Sequence, residues 1–140
     1  MSFGEIQLPE KKTNKGFCDA IKGALAEGQI AGDKKTRLVH AAGKSFRDLW
    51  KLRHGIVEHP PDCVVFPESE EDVCSIVGVA HEHGVVLIPF GCCSNIAGCL
   101  DPRDREDRLV VSLDMCRMHR VVEVDQYSVS YTHLTLPTKA

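Results

Sequence analysis

Apolar positions recur at helical spacing over residues 16–28. Phe17, Ala20, Ile21, Ala24 and Leu25 share one face there, and Gly28 offers a stop. Residues 44–55 predict a second helix. Ser45 stands at its cap with Asp48 three residues on, Phe46, Leu49 and Trp50 form an apolar face, and His54-Gly55 ends it. The pattern then changes. Residues 59–63 hold consecutive prolines, which forbid helix and mark a turn and a boundary. Residues 63–66 read as a buried strand. Ser69 caps the clearest helix of the chain, with Glu70, Glu71 and Asp72 at the positive end of its dipole. Val73, Ile76, Val77 and Ala80 predict its buried stripe, and Gly84 closes it. Residues 85–89 have almost no polar face, which predicts a strand at the centre of a sheet. Strand, helix and strand with short links form a βαβ unit, so these strands should run parallel. Residues 100–108 read as a charged surface loop, 109–113 as a third strand, 114–120 as a tight connector and 121–125 as a fourth strand.

The class is therefore α+β: a helical N-terminal segment (1–59), the first βαββ part of a sheet domain (60–126) and a polar, Thr-rich tail (127–140). Residues 1–15 read as a loose lead-in. A strand at 121–125 lacks its continuation and partners, so a truncated domain is expected.

Composition narrows the classes. A chain of 140 residues supports one sizeable core, and 43% hydrophobic with 26% charged residues is globular. The net charge is −3, from 17 basic and 20 acidic residues, with no basic stripe, which argues against a nucleic-acid partner. No apolar run is long enough to span a bilayer. Residues 1–15 lack the apolar segment of a secretory signal, so the inside of a cell is expected. The seven cysteines are Cys18, Cys63, Cys74, Cys92, Cys93, Cys99 and Cys116. They are odd in number and include no CxxC pair. Reduced, mostly buried thiols packing as small hydrophobes fit better than a zinc site or a disulfide framework.

The chemistry concentrates at residues 87–98. Pro89 ends a strand, Gly91 is free to adopt positive φ, and successive backbone N–H groups in such a turn converge into an anion-binding nest. Ser94 adds a hydroxyl donor and Asn95 an amide. The loop sits at the carboxyl end of a strand, where open α/β sheets collect ligands. A diphosphate is the natural guest, and a plain Gly/Ser/Asn turn is an equal alternative. Other motifs are weaker. Ala42-Gly43-Lys44-Ser45 ends like a Walker A loop, but the required first glycine falls on Leu38 and no strand precedes it. His81 and His83 lie two apart on different helix faces and read as solvated. His119 and Asp125 suggest nothing specific. A Cys92–Cys93 redox pair would be strained and has no activating base nearby.

Residues 61–91, the following Ser94-Asn95, and residues 108–125 resemble the FAD-binding domain of the vanillyl-alcohol-oxidase type (PCMH-type). Residues 37–62 resemble more specifically the segment before that domain in the alkylglycerone-phosphate synthase family. The family's loop is Pro, a hydrophobic residue, three glycines, then Thr or Ser. Pro89, Phe90, Gly91, Ser94 and Asn95 fit it, while Cys92 and Cys93 occupy two glycine positions. A side chain where left-handed geometry is required costs about 1–2 kcal/mol. The loop is thus read as a damaged or divergent flavin loop. Pro89, Phe90, Gly91, Cys92, Cys93, Ser94 and Asn95 are the expected FAD-binding residues, with no catalytic or metal-binding residue assigned.

The resemblance implies a flavoprotein transferase of ether-lipid biosynthesis. It would exchange the acyl group of acyl-dihydroxyacetone phosphate for a long-chain fatty alcohol, with FAD as cofactor and no net redox change. It also implies small-molecule lipid substrates, membrane-surface association of the full-length enzyme, a homodimer and a peroxisome-like compartment. This stretch alone would be inactive. An FAD-dependent oxidoreductase of the D-2-hydroxyacid dehydrogenase type and a non-catalytic fragment stay open as alternatives. The helical prelude around Trp50 and His54 argues against the dehydrogenase. Residues 130–140 resemble a translated sequencing-adaptor tail and are assigned no function.

Overall fold

The computed structural model describes residues 6–102 and 106–121. Helix α1 (Lys15–Ala24) is capped by Asn14, whose side-chain oxygen accepts the Phe17 N–H at 3.1 Å. Strand β1 (Ile30–Ala31) and helix α2 (Lys34–Val39) follow, and the periodicity predicted neither. Both are too short to show a repeat. Helix α3 (Phe46–Arg53) starts at its predicted cap, Ser45 Oγ accepting the Asp48 N–H at 3.0 Å. Its apolar residues stay in solvent: Phe46 is 85% exposed, and Leu49 and Trp50 are about half exposed.

Strand β2 (Cys63–Val65), helix α4 (Glu70–Glu82) and strand β3 (Val86–Phe90) form the predicted βαβ unit. Ser69 Oγ accepts the Asp72 N–H at 3.1 Å, as its place at the cap predicts. The buried stripe of α4 differs from the expected one. Ile76 and Ala80 are buried, but Val77 is exposed and Val79 packs against the core instead. Packing against α1 turns the helix by that much.

The sheet order is β1-β2-β4-β3, with β4 spanning Val110–Asp114. β1 is antiparallel to β2, with Ile30 opposite Val65. β2 and β3 both run parallel to β4, where Val64 and Ile88 flank Ser112. The predicted parallel direction holds, but among the described residues β4 rather than β3 lies between paired strands. All five residues of β4 are buried, whereas only Phe90 of β3 is. Pro89 lacks the N–H that a strand paired on both sides would donate, which suits β3 to its outer place.

One core joins Phe17, Ile21 and Leu25 of the N-terminal stretch to Val65, Ile76, Ala80, Leu109, Val111 and Leu113. Residues on both sides of position 60 therefore share it. The described part of the lead-in, from residue 6 on, is tied down rather than loose. Lys12 donates its backbone N–H to Asp62 Oδ1 at 2.8 Å, and Asp62 Oδ2 accepts the Val110 N–H at 2.9 Å. Buried Arg37 of α2 donates to the carbonyls of Pro61 and Pro9 at 2.7 and 3.1 Å. These bonds pin the lead-in and the diproline turn to the sheet.

After β4 a 3₁₀ turn (Met115–Arg117) redirects the chain. Arg117 donates to Glu68 Oε1 at 2.7 Å and to the Gly28 carbonyl at 2.9 Å, with its guanidinium over the Phe66 ring. The predicted fourth strand at 121–125 and the tail at 127–140 lie outside the described residues, except Val121, which is in no strand. All seven cysteines are free, and none is buried, against the mostly buried thiols expected. Cys74 sits on the outer face of α4, and Cys92, Cys99 and Cys116 sit in turns.

Candidate functional site

The carboxyl ends of the three parallel strands gather the candidate residues. The loop at 91–95 leaves β3, Asp114 closes β4, and Glu68 and Ser69 follow β2. This is the end of an open parallel sheet where ligands bind. Pro89, Phe90, Gly91, Cys92, Cys93, Ser94 and Asn95 line one recess of about 260 Å³, together with Cys99 and Leu100.

Gly91 does not take the positive φ open to it. Cys93, one of the two cysteines at glycine positions where left-handed geometry is expected, does, at 58°. Among the described non-glycine residues it is alone in this. The left-handed turn thus falls on one of the two cysteines at glycine positions, and Cys92 carries no such strain. The Cys93 thiol donates to the Ala42 carbonyl at 3.5 Å, and Cys92 Sγ lies 3.4 Å from Ser94 Oγ. Asn95 uses its side-chain oxygen within the loop, accepting the Cys99 N–H at 3.2 Å. Among the described residues, the backbone N–H groups of Gly91, Cys93, Ser94 and Asn95 have no protein acceptor. A row of such donors beside an open recess suits an anion.

The thiols do not suit nucleophilic work. Burial pushes the Cys93 thiol up, and the nearby Lys44 ammonium only partly opposes it. Cys116 is pushed up to about 11, first by burial and then by the hydrogen bond and charge of Asp114. Neither is a thiolate at neutral pH. No group of three or more His, Cys, Asp or Glu among the described residues is placed to hold a metal ion.

Beneath the loop lies a pair that the sequence did not reveal. His40, which ends α2, is buried with Nε2 2.8 Å from Asp114 Oδ2 and Nδ1 2.8 Å from the Thr36 carbonyl. Both ring nitrogens lie within hydrogen-bond distance of an oxygen. Burial pushes the Asp114 carboxyl up. The His40 hydrogen bond and the Cys116 N–H outweigh it, so the group ends below the ordinary carboxylate range. The His40 ring packs on Phe90, with centroids 4.2 Å apart. The partners are 74 residues apart, and no local spacing could have joined them.

Residues 61–131 match the model of a family described as "FAD binding domain". The chain is 38% identical over 123 residues to an alkyldihydroxyacetonephosphate synthase of Trypanosoma brucei brucei, covering 87% of this chain and 20% of that protein. It is 40% identical over 126 residues to the enzyme of the same name from Dictyostelium discoideum, covering 90% and 20%. Both spans are too long to lie wholly after residue 60. A solved structure of an alkyldihydroxyacetonephosphate synthase superposes with a TM-score of 0.85 at 39% identity, covering 90% of this chain and 24% of that one. The chain thus spans about a fifth of the length of the curated relatives it matches.

Proposed function

Because the chain belongs to the FAD binding domain family, we propose that its loop at 89–95 holds the diphosphate of FAD in an alkyldihydroxyacetonephosphate synthase. The observation that carries this is the set of N–H groups at Gly91, Cys93, Ser94 and Asn95 that have no acceptor among the described residues, in a loop that lines a recess large enough for an anion. The residues suit that guest. Gly91 has open space where a Cβ would project, so the backbone there is accessible. Pro89 and Phe90 fix the exit of the strand. Gly91, Cys93, Ser94 and Asn95 supply main-chain donors, and Ser94 adds a hydroxyl.

Bound FAD would supply the isoalloxazine ring at which acyl is exchanged for alkyl. The chain's own part is to bind and orient the cofactor through its phosphates, and no residue here is assigned a catalytic role. The proposed substrates are acyl-dihydroxyacetone phosphate and a long-chain fatty alcohol, and the proposed class is transferase. On its own this stretch is proposed to be inactive. Membrane-surface association of the full-length enzyme is supported by α3, where exposed Phe46, Leu49 and Trp50 share a short helix with Arg47, Lys51 and Arg53. A homodimer and a peroxisome-like compartment belong to the same proposal, on the family resemblance alone.

Titration of the chain with FAD, followed by flavin fluorescence, tests the reading directly. Saturable binding that ADP competes away is expected, because ADP shares the diphosphate. Absence of saturable binding overturns the reading. Restoring glycine at Cys92 and Cys93 should tighten FAD by up to about tenfold. Cys93→Gly also acts on stability, because its left-handed φ is present without ligand. It relieves about 1–2 kcal/mol, offset by about 0.4–1 kcal/mol of added unfolded-state entropy. Unchanged affinity in the double variant would show that the cysteines do not hinder the phosphates.

A further inference from the structure

Residues 40–44 lie upstream of the stretch matched to the FAD binding domain family, yet they touch the loop at 90–95 along its length. The His40 ring packs on Phe90, with centroids 4.2 Å apart. The Ala42 carbonyl accepts the Cys93 thiol at 3.5 Å. The Lys44 N–H donates to the Asn95 carbonyl at 2.8 Å. Gly43 is buried so closely against Asn95 that a Cβ built there would overlap the Asn95 carbonyl oxygen, and the Asn95 carbonyl carbon would lie at 3.0 Å. These obstacles are backbone atoms and cannot swing aside.

We propose that residues 40–44 form the outer wall of the diphosphate cradle and set the direction of its N–H groups, with Gly43 and His40 as positioning residues. This rests on the reading of loop 89–95 as the holder of the FAD diphosphate. The physical sense is direct. A nest binds an anion only while successive peptide planes keep their N–H groups converged. Holding the Asn95 carbonyl on the Lys44 N–H anchors the chain directly after that row. The hold of Ala42 on Cys93 steadies the residue whose left-handed φ costs most to maintain. The Gly-Lys-Ser stretch that fails as a Walker A loop thus serves an anion site by supporting another loop rather than by wrapping phosphate itself.

The test compares Gly43→Ala with Gly78→Ala in the 140-residue chain. Gly78 is a control because a Cβ there meets nothing within 4 Å. Backbone amide resonances of Cys93, Ser94 and Asn95 are recorded without ligand, and FAD and ADP are titrated separately. Gly43→Ala should shift those three amides and weaken both ligands by about tenfold or more, with unchanged far-UV circular dichroism. Gly78→Ala should do neither. Equal losses for FAD and ADP point to the shared diphosphate. Should Gly43→Ala fail to fold, His40→Gln removes the ring from Phe90 while keeping a donor, and is read in the same way. Loop amides and affinities matching the wild type overturn the proposal. If the wild-type chain binds neither FAD nor ADP, the function reading fails, and the amide shifts alone uphold or overturn the wall.

Discussion

Replacing Phe17 by alanine is expected to destabilise the whole sheet by about 3–5 kcal/mol, the range for emptying a buried aromatic site. Phe17 is 1% exposed and shares a core with Val65, Ile76 and Val111, which come from β2, α4 and β4. The cavity would open between α1, α4 and the sheet, where α4 and strands β2 and β4 cannot collapse to fill it without losing their register. Natural domains are stable by about 5–15 kcal/mol in all, so a loss of this size is severe. Urea unfolding followed by circular dichroism should show a large fall in midpoint with little change in slope. A fall confined to α1, with the strands unfolding at their original midpoint, would show that the N-terminal stretch is an appendage rather than part of the core.

Asp114→Ala should cost about 3 kcal/mol or more, because it leaves buried His40 facing an absent partner. It also strips the acceptor from the Cys116 N–H, 2.8 Å away in the wild type. The pH dependence follows from the direction of the shift. The folded-state carboxyl lies below its ordinary value of 3.8, so its contribution is fully present above that value. It is lost as pH falls through the lowered folded value. Wild type should therefore lose stability in acid more steeply than the variant, with the two curves converging at the acid end. Parallel curves from neutral to acid pH would count against the pair as a source of stability.

Much of this architecture could be read in the chain, and the exceptions share a cause. Ser69 and Ser45 announce their helices because a cap is a local bond to a residue three positions on. The βαβ direction follows from hydrophobic runs and a periodic helix between them. The centre of the sheet was misplaced because strand order is set by partners far apart in sequence. Pro89 was the available signal, since a residue without an N–H belongs at the side of a sheet. Asp33 likewise marks α2 as its cap, accepting the Lys35 and Thr36 N–H groups at 3.0 Å. That helix has only six residues and shows no periodicity. At the loop, residues 89–95 could be picked out and do line one recess. The glycine pattern narrowed the left-handed position to Cys92 or Cys93, and the choice of Cys93 goes with a contact to Ala42 that no local pattern encodes. His40 was invisible for the same reason.

The Arg117 tether has a consequence for how the polypeptide is routed. By reaching Glu68 and Gly28 it draws the strand exit of β4 sideways across β2 toward β1. Glu68 follows β2 and Gly28 precedes β1, so one guanidinium joins the connections of three neighbouring strands at the same rim of the sheet. Stacked over Phe66 as well, it fastens the chain leaving β4 before that chain moves on.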